Sequence, residues 1–552
     1  MNVLAELRRR FAAALQPLTD EDLQPLVDMV RPSQDVRHGD YQANCAMPLG
    51  KRLGQPPREM AQQIVAGLEV QDFCHDPQIA GPGFINLTVR DDWLAEQLTQ
   101  AASDPRLGVA PTDHPRCYVI DYSAPNVAKP MHVGHIRSTV IGDALARTLR
   151  FLGHRVISDN HIGDWGTQFG MIIYGYKHFL DRQAYAASPV QELARLYRLV
   201  NQLIEYHQGR AGLPAQRERL AKLTEQCEAQ RAAGPLQDVE QARRAAKALQ
   251  KIEQQVAAAE GELQQLTARL AAMEEDPAWH QRANTHADIA TAVLQETAAL
   301  HAGDETNRRL WQTFLPFCQE DIQRIYQRLQ VEFDYTLGES YYQDRLADVV
   351  ADLRARQLAT ESDGAVCVFL DGYETPLIVQ KQDGAFLYAT TDLATIQYRQ
   401  QTWQPDVILY VVDHRQSLHF EQLFATARRW GYDTIDLVHV KFGTVLGEDR
   451  RPFKTRAGST VGLDDLLDEA VRRAFLVVSE NDELKETPEL SAEDRQRIAE
   501  IVGIAALKYA DLSQNRESDY IFSYDKMLAL NGNTATYMQY AYARVRSIFV
   551  KG

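Results

Sequence analysis

The chain has 552 residues, of which 45% are hydrophobic and 24% charged, and its formal net charge is −16. This composition is that of a globular protein, and at roughly 150 residues per domain the length predicts three or four domains. The acidic balance argues against unspecific coating of nucleic acid, although a local basic face can still bind RNA. The sequence has no run of about 18 apolar residues, so no membrane-spanning helix is predicted.

The first 113 residues predict a compact α+β domain. Helices are expected over 1–16, near 56–68 and from Asp91 onward, and short strands within 39–51 and 81–89. A linker rich in turn residues, 104–116, then marks the boundary.

The next segment predicts a strand–helix–strand unit. A β-rich run covers 117–124, apolar residues at helical spacing follow up to Gly153, and a second strand covers 155–160. This unit is the building block of a doubly wound parallel sheet, and we assign residues 114–182 to its first half.

A helical insertion is predicted over 183–335. Apolar residues recur at alternating steps of three and four from Leu249 to Met273, which is a heptad pattern. An earlier helix, near 213–233, is separated from it by Gly234-Pro235, so we expect an antiparallel hairpin over about 213–275. The hairpin is either a spacer or an arm that touches RNA or a partner.

Strand patterns return in the segment 336–450, and helical patterns follow. Strands are expected at 364–372, 376–380, 386–390, 406–413 and 437–443. The remainder divides into a loop with stem helices, 451–500, and a helical carboxyl-terminal part, 501–552.

Six cysteines, at positions 45, 74, 117, 227, 318 and 367, contain no Cys-x-x-Cys pair. Their spacing supports neither a zinc site nor a disulfide framework. We therefore expect no structural metal and a reducing, cytoplasmic environment.

The densest group of polar residues is the stretch SAPNVAKPMHVGHIRST, which begins at Ser123. It lies between a strand and a helix, where free N–H groups and the helix dipole favour anions such as phosphate. His132 and His135 can donate hydrogen bonds to phosphate, Lys129 adds a positive charge, and Gly134 permits close approach. The alternative is a pair of histidines capping an ordinary helix, and a metal site lacks a third ligand nearby.

This stretch and several later blocks resemble class I arginyl-tRNA synthetases. The blocks are DNHIGDWGTQFG, YATTDLA, YVVDHRQSLHF and PFKTRAGSTVGLDDLLDEA, together with HGDYQANCAM and GPGFINL near the amino end. The resemblance covers nearly the whole chain except about 200–280. It implies an α/β fold with a Rossmann-like class I synthetase catalytic domain and a helical insertion, an α+β N-terminal domain and an α-helical C-terminal domain.

The resemblance also implies a reaction. ATP with Mg²⁺ and L-arginine give arginyl-adenylate and diphosphate, and the arginine is then esterified to tRNA(Arg). The family typically needs tRNA bound before the first step. We expect a monomer that binds neither DNA nor membranes.

Residues of the arginine pocket follow from the matching blocks. Asp392, Tyr388 and Asp121 match contacts to the guanidinium, Asn126 matches a contact to the α-amino end, and Gln416 matches a further contact. Acidic partners suit a guanidinium fork and explain rejection of lysine, whose single ammonium cannot fill the same geometry. The residues alone favour Asp392 as a helix cap before LATIQY, and only the match to the family reverses that interpretation.

Residues for ATP follow in the same way. The resemblance assigns His132, Gly134 and His135 to ATP binding, and it implies that Gly163 and Asp164, in the GDWGTQ block, shape the same site. The alternative for that block is a glycine-rich turn that supports the first helix.

The second class I motif, usually Lys-Met-Ser-Lys-Ser, is altered in this chain. Lys454 is present, but Thr455 stands where the second lysine is expected. In many arginyl enzymes a lysine just before the first motif substitutes for it, and Lys129 occupies that place. We therefore expect Lys129 to act in catalysis, with Lys454 as a further ATP contact.

Contacts to tRNA are expected at both ends of the chain. By resemblance, Tyr41, Gln42 and Asn44 face tRNA, while Tyr537 and Tyr540 either stack on bases or pack in a helical core. The family's anticodon-binding domain usually extends further, so the chain is expected to be either a fragment or a member with a shortened domain. Two other function classes are a tRNA-binding protein without activity and a nucleotidyltransferase for a small molecule, which would leave the N-terminal domain unexplained.

Overall fold

The computed structural model describes residues 2–232, 239–447, 450, 461–529 and 531–551. The chain forms two compact units. The first consists of residues 1–115 with 151–154, and the second of residues 116–150 with 155–552. Each unit is described by itself.

The first unit contains an antiparallel sheet with helices packed around it. The sheet has the order β1-β2-β4-β3. The strands are β1 Val30–Pro32, β2 Tyr41–Ala43, β3 Gln78–Ala80 and β4 Phe84–Leu87, and the helices are α1 Val3–Leu15, α2 Gln24–Val27, α3 Ala46–Leu53, α4 Pro57–Ala66 and α5 Asp91–Ser103. Helix α1 buries Leu7, Phe11, Ala14 and Leu15 because steps of three and four residues place them on one face.

Short strands were expected within 39–51, and the second half of that segment is a helix instead. Only Tyr41–Ala43 is a strand, and α3 follows almost at once. Ala46, Leu49 and Gly50 recur at helical steps and form its buried face, and Gly54 ends it in the left-handed region with φ 68°.

The second unit contains the parallel sheet that the strand–helix–strand pattern predicts. The strands described in the second unit are β5 Cys117–Asp121, β6 Arg155–Asp159, β7 Thr360–Ser362, β8 Ala365–Val368, β9 Leu377–Gln380, β10 Val407–Tyr410, β11 Asp436–His439, β12 Val445–Leu446 and β13 Tyr520–Ile521. The parallel sheet has the order β11-β10-β5-β6. Val119 and Ile120, neighbours on β5, are both fully buried in cores on opposite faces of the sheet.

Helices cover both faces of this sheet and form the insertion and the tail. They are α6 Val133–Phe151, α7 Thr167–Phe179, α8 Arg182–Ala187, α9 Pro189–Ala232, α10 Val239–Glu274, α11 Pro277–Thr285, α12 Ile289–Ala302, α13 Glu305–Leu329, α14 Glu339–Tyr342, α15 Leu346–Ala355, α16 Tyr388–Trp403, α17 Ser417–Trp430, α18 Leu463–Glu483, α19 Ala492–Leu512, α20 Tyr524–Met527 and α21 Ala535–Lys551.

The strands predicted at 364–372 and 376–380 do not rejoin the parallel sheet. Strands β7, β8 and β9 form an antiparallel sheet of their own, because their short connections permit hairpins but not parallel crossovers. The strand predicted at 386–390 is wrong. Only Phe386 makes a bridge, to Gln380, and α16 begins at Tyr388.

The predicted antiparallel hairpin is confirmed as α9 packed on α10. Ion pairs join Arg231 to Glu253 at 2.6 Å and Arg269 to Glu205 at 3.0 Å, so the two helices run in opposite directions. The first helix is longer than predicted, since it begins at Pro189 rather than near 213.

Candidate active site

A cavity of about 630 Å³ opens at the carboxyl ends of β5 and β10. Strand β5 pairs with β6 on one side and with β10 on the other, so the order in which strands are added to the sheet reverses at β5. Such a switch point is where open α/β sheets bind ligands. The wall includes these residues singled out from the sequence: Asp121, Asn126, His132, Gly134, His135, Gly163, Tyr388, Asp392 and Gln416.

The backbone turns sharply into this cavity directly after β5. Ser123 has φ 71° and Ala124 has φ 44°, a region that residues with a side chain rarely adopt. Hydrogen bonds hold both amides: Ser123 N donates to Ser138 Oγ at 2.8 Å, and Ala124 N donates to Asn160 Oδ1 at 3.1 Å. Strain of this kind is typical of functional sites.

The two histidines are held in one tautomer by backbone amides. Gly134 N donates to His132 Nδ1, and His132 N donates to His135 Nδ1, each at 3.1 Å. A neutral imidazole that accepts at Nδ1 carries its proton at Nε2, so both rings present a donor. Gly134 permits this arrangement, because a Cβ there would lie 2.9 Å from His132 Cε1.

Both rings are kept neutral. Burial and the charge of Lys129 lower the pKa of His132. Burial, His132 and Lys129 together lower the pKa of His135 to about 3. The pair therefore offers neutral hydrogen-bond donors at physiological pH.

Asn126 is fixed against Gly163. Gly163 N donates to Pro125 O, and Val127 N donates to Gly163 O, both at 3.0 Å. A Cβ at position 163 would lie 2.2 Å from Asn126 Oδ1, so only glycine fits there. Gly163 thus shapes the cavity by letting the amide of Asn126 come close.

Asp392 is held by a partner that the sequence did not reveal. His419 Nε2 lies 2.6 Å from Asp392 Oδ2. Burial lowers the pKa of His419, but the hydrogen bond and charge of Asp392 outweigh that effect and raise it overall. His419 belongs to the YVVDHRQSLHF block, but it lies 27 positions from Asp392, so the sequence around either residue does not reveal their contact.

Glu339 is the carboxyl group that sequence reasoning missed. It begins α14 and lines the same cavity as Asp392 and Tyr388. Burial, Asp164 and Asp392 raise its pKa from 4.5 to about 8. Two carboxyls that disfavour each other's charge form a site for a cation.

The structure places the carboxylate of Asp164 against Ser340. Its carboxylate accepts from Ser340 N at 2.8 Å and from Ser340 Oγ at 2.6 Å. It is buried and is not part of the cavity wall. Asp164 therefore supports the turn that carries Glu339, and its predicted part in the ATP site stays a prediction.

Asp121 reaches the cavity wall, but an internal arginine engages its carboxylate. Arg399 Nη2 donates to Asp121 Oδ2 at 2.6 Å. The predicted contact of Asp121 with a substrate guanidinium would have to share this group with Arg399.

Lys129 lies close to the histidines but points elsewhere. Its Nζ is 5.7 Å from the ring centroid of Tyr197, and the side chain lines a separate small cavity with Asp321. Lys454 and Thr455 lie outside the described residues. The segment just after them returns to the site, because Leu463 N donates to Met131 O at 2.8 Å and Val133 N to Val461 O at 3.1 Å.

The residues predicted to face tRNA lie in different surroundings. In the first unit, Gln42 Nε2 donates to Asn86 Oδ1 at 2.8 Å, Tyr41 packs against the core, and Asn44 Oδ1 is buried without a hydrogen-bond partner among the described residues. In the second unit, Tyr537 and Tyr540 on α21 are 44% and 50% exposed. Their packing within the described residues is therefore not that of core aromatics.

The six cysteines are buried and unpaired. Within the described residues no cluster of three or more potential metal ligands occurs. No helix in the described part of the chain is long and apolar enough to span a membrane.

Comparison with known protein families explains this arrangement. The sequence model of "tRNA synthetases class I (R), catalytic domain" matches residues 97–229 and 241–524, and that of "Arginyl tRNA synthetase N terminal domain" matches residues 5–89. The chain belongs to the class I arginyl-tRNA synthetase family. The two matches together cover most of the chain.

Individual relatives agree. An "Arginine--tRNA ligase" of Rhodopirellula baltica is 53% identical over 98% of this chain and 82% of the relative. One of Erwinia tasmaniensis is 41% identical over 100% of this chain and 82% of the relative. The crystal structure of arginyl-tRNA synthetase from Plasmodium falciparum has a TM-score of 0.69 at 24% identity, covering 100% of this chain and 81% of that chain. The arginyl-tRNA synthetase of Thermus thermophilus has a TM-score of 0.67 at 19% identity, with 100% and 82% covered, and these two structures show the fold alone.

Proposed function

We propose that the cavity at the ends of β5 and β10 is where this synthetase activates arginine with ATP. The reaction is that of an arginine–tRNA ligase: ATP, L-arginine and tRNA(Arg) give AMP, diphosphate and L-arginyl-tRNA(Arg) through an arginyl-adenylate. The observation that carries the proposal is that Asp392 and Glu339 line one cavity with the two neutral histidines. That arrangement offers acids to a guanidinium and donors to a phosphate in the same space.

At the arginine end, Asp392 and Glu339 bind the guanidinium and Tyr388 lies beside it. Because Asp392 Oδ2 is held by His419, its Oδ1 remains to accept from the substrate. Arriving guanidinium displaces the proton of Glu339, whose pKa is about 8 in the empty site. A lysine ammonium cannot donate to two separated carboxylates in the same planar fork.

At the other end of the substrate, Asn126 holds the α-amino group and Gln416 adds a contact. Both residues line the cavity, Asn126 on the β5 side and Gln416 in the turn before α17. The spacing of these two groups from the acids fixes the length of amino acid that the site accepts.

At the ATP end, His132 and His135 donate from Nε2 to phosphate oxygens, and Gly134 and Gly163 keep the backbone close. Phosphoryl and adenylyl transfer depend mostly on positioning and charge stabilisation, and preorganised neutral donors supply both without reorganisation. Mg²⁺ enters with ATP as part of the substrate complex.

Lys129 supplies the cation that Thr455 cannot. Its backbone lies three residues before His132, and its charge already lowers the pKa of both histidines. A flexible four-carbon side chain can turn from the ring of Tyr197 to the α-phosphate when ATP binds. Lys454 is proposed as a second contact to ATP.

We further propose that tRNA(Arg) contacts Tyr41, Gln42 and Asn44 of the first unit and the exposed Tyr537 and Tyr540 of α21. Exposed aromatic rings on a helix suit stacking on unpaired bases. The protein is proposed to act as a monomer in the cytoplasm and to bind no DNA.

The experiment that tests this function is aminoacylation of purified tRNA(Arg) with labelled arginine and, separately, labelled lysine. We expect arginyl-tRNA to accumulate with ATP and Mg²⁺ and no lysyl product above background. Binding of tRNA without any transfer of arginine would instead support a tRNA-binding protein without activity.

A further inference from the structure

A fully buried arginine lies directly behind the proposed arginine pocket. Arg399 Nη2 donates to Asp121 Oδ2 at 2.6 Å and to Asp159 Oδ2 at 2.8 Å, and Arg399 Nε donates to Asp159 Oδ2 at 3.2 Å. The side chains of Arg399 and Asp159 are 0% exposed, and that of Asp121 is 9% exposed. The ring of Tyr410 packs beneath the guanidinium, with 5.5 Å between Arg399 Cζ and the ring centroid.

These contacts fasten one helix to the ends of two strands. Asp121 and Asp159 are the last residues of β5 and β6 and lie opposite each other in the parallel register. Arg399 comes from α16, which is far away in sequence. Separating the partners would leave a buried charge uncompensated, which strongly destabilises a protein. The junction therefore favours the one geometry in which all three side chains meet.

The same helix carries two residues of the pocket. Tyr388 is the first residue of α16, and Asp392 precedes Arg399 by seven positions. Seven residues are about two helical turns, so Asp392 and Arg399 share one face and are separated by roughly 10 Å along the axis. The position of Arg399 therefore sets both the rotation and the depth of Asp392 relative to the sheet.

The contacts also determine which acids remain for the substrate. Asp121 lines the cavity, and without Arg399 its charge would add to those of Asp392 and Glu339. The internal guanidinium compensates Asp121 and leaves Asp392 and Glu339 to bind the substrate. A cavity with a third acid free to bind would attract any cation, whereas two placed acids select a forked one.

We propose that Arg399 is a positioning residue for arginine selection. It fixes α16 against β5 and β6 so that Asp392 and Tyr388 face the substrate side chain, and it withholds Asp121 from that side chain. This inference rests on the proposed placement of the substrate guanidinium between Asp392 and Glu339.

The test is steady-state ATP–diphosphate exchange with tRNA(Arg) for Arg399→Lys, which retains the charge but cannot make the three contacts. We expect the KM for arginine to rise at least tenfold while the KM for ATP stays within twofold. The matched control is Arg495→Lys, since Arg495 also pairs with a buried carboxylate, that of Asp482 at 3.1 Å, but lies in α19. It should lower the melting temperature comparably and leave both KM values unchanged.

A second variant guards against failure to fold. Arg399→Gln combined with Asp121→Asn and Asp159→Asn leaves no buried charge at this junction, and it should fold with the same selective rise in the KM for arginine. If the folded variants keep the wild-type KM for arginine, or lose affinity for arginine and ATP equally, the proposal is overturned.

Two further variants distinguish the alternatives. Asp159→Asn removes a partner of Arg399 that is fully buried and does not line the cavity, so any effect on the substrate must pass through Arg399 and α16. We expect a selective rise in the KM for arginine, and an unchanged KM for arginine in the folded variant would overturn the proposal. Asp392→Asn tests the pocket itself. An unchanged KM for arginine there refutes the proposed function, whereas an effect of Asp392→Asn without one of Arg399→Lys refutes only the role of Arg399.

Discussion

His419 Nε2 donates to Asp392 Oδ2 across 2.6 Å, which joins the start of α17 to the first turns of α16. This contact fixes the orientation of the carboxylate that we assign to the substrate guanidinium. It also occupies one of the two carboxylate oxygens, so Asp392 meets the substrate through the other.

Replacing His419 by alanine should weaken arginine binding without affecting ATP. A hydrogen bond to a charged group is worth about 1.5–3 kcal/mol, so we expect the KM for arginine to rise roughly tenfold or more. His419→Gln retains a neutral donor and should recover most of the loss. If alanine and glutamine behave alike in exchange kinetics, the ring does not act through its hydrogen bond.

Glu339 predicts a pH dependence of arginine binding. Burial, Asp164 and Asp392 raise its pKa to about 8, so the empty site holds a proton that bound guanidinium must expel. The affinity for arginine should therefore increase as the pH rises from 6.5 to 9, with an inflection near 8, when measured by isothermal titration.

The same shift affects stability. The unfolded chain loses this proton near the ordinary pKa of 4.5, so Glu339 makes the folded protein less stable as the pH rises from about 4.5 to about 8.

Glu339→Gln should remove that inflection and raise the dissociation constant for arginine roughly tenfold or more, because one charge-assisted bond is lost. Glu361→Gln, at an exposed carboxylate on β7, is the matched control and should behave as wild type. An inflection near pH 8 that survives in Glu339→Gln would assign the titration to another group.

Substitution by alanine should have opposite effects on the free energy of unfolding at Gly163 and at Gly212. A Cβ at Gly163 would lie 2.2 Å from Asn126 Oδ1, so Gly163→Ala should cost about 1–3 kcal/mol of unfolding free energy and weaken arginine use. At Gly212, inside α9, a Cβ meets no atom within 4 Å, so Gly212→Ala should stabilise by roughly 0.5–1 kcal/mol. Chemical denaturation measures both changes, and a neutral Gly163→Ala would show that Asn126 is not held there.

Lys129→Ala should lower the rate of adenylate formation with little change in arginine affinity. Loss of one group that stabilises charge in the transition state typically costs roughly 10²–10³ in rate. Single-turnover measurement of adenylate formation separates this effect from binding. A decrease smaller than threefold would remove Lys129 from the mechanism.

Much of the site could be predicted because the residues concerned are close in sequence. His132, Gly134 and His135 form one turn at the start of α6, where the strand–helix pattern already placed an anion site. The heptad spacing that begins at Leu249 likewise predicted the second helix of the hairpin, because such a periodicity can be read from consecutive residues alone.

The rest depends on contacts between distant segments. Glu339 stands in a short helix without periodicity, and Arg399 reads as an ordinary helix residue until the fold brings it to Asp121 and Asp159. The strand predicted at 386–390 failed for a related reason, since a short apolar run does not distinguish a buried strand from a buried helix. Asp164 was assigned to the ATP site through the resemblance of its block, and its contact with Ser340, 176 positions away, leaves no local signal.

The most direct test of the arginine pocket is arginine-dependent ATP–diphosphate exchange in the presence of tRNA(Arg), measured for the wild type and for Asp392→Asn. We predict robust exchange in the wild type that depends on tRNA. In Asp392→Asn, kcat/KM for arginine should fall roughly a hundredfold or more while the KM for ATP is unchanged, as expected for loss of a charged partner in a buried site. Absence of exchange in the wild type at every tRNA concentration, or wild-type kinetics for arginine in Asp392→Asn, would contradict the account.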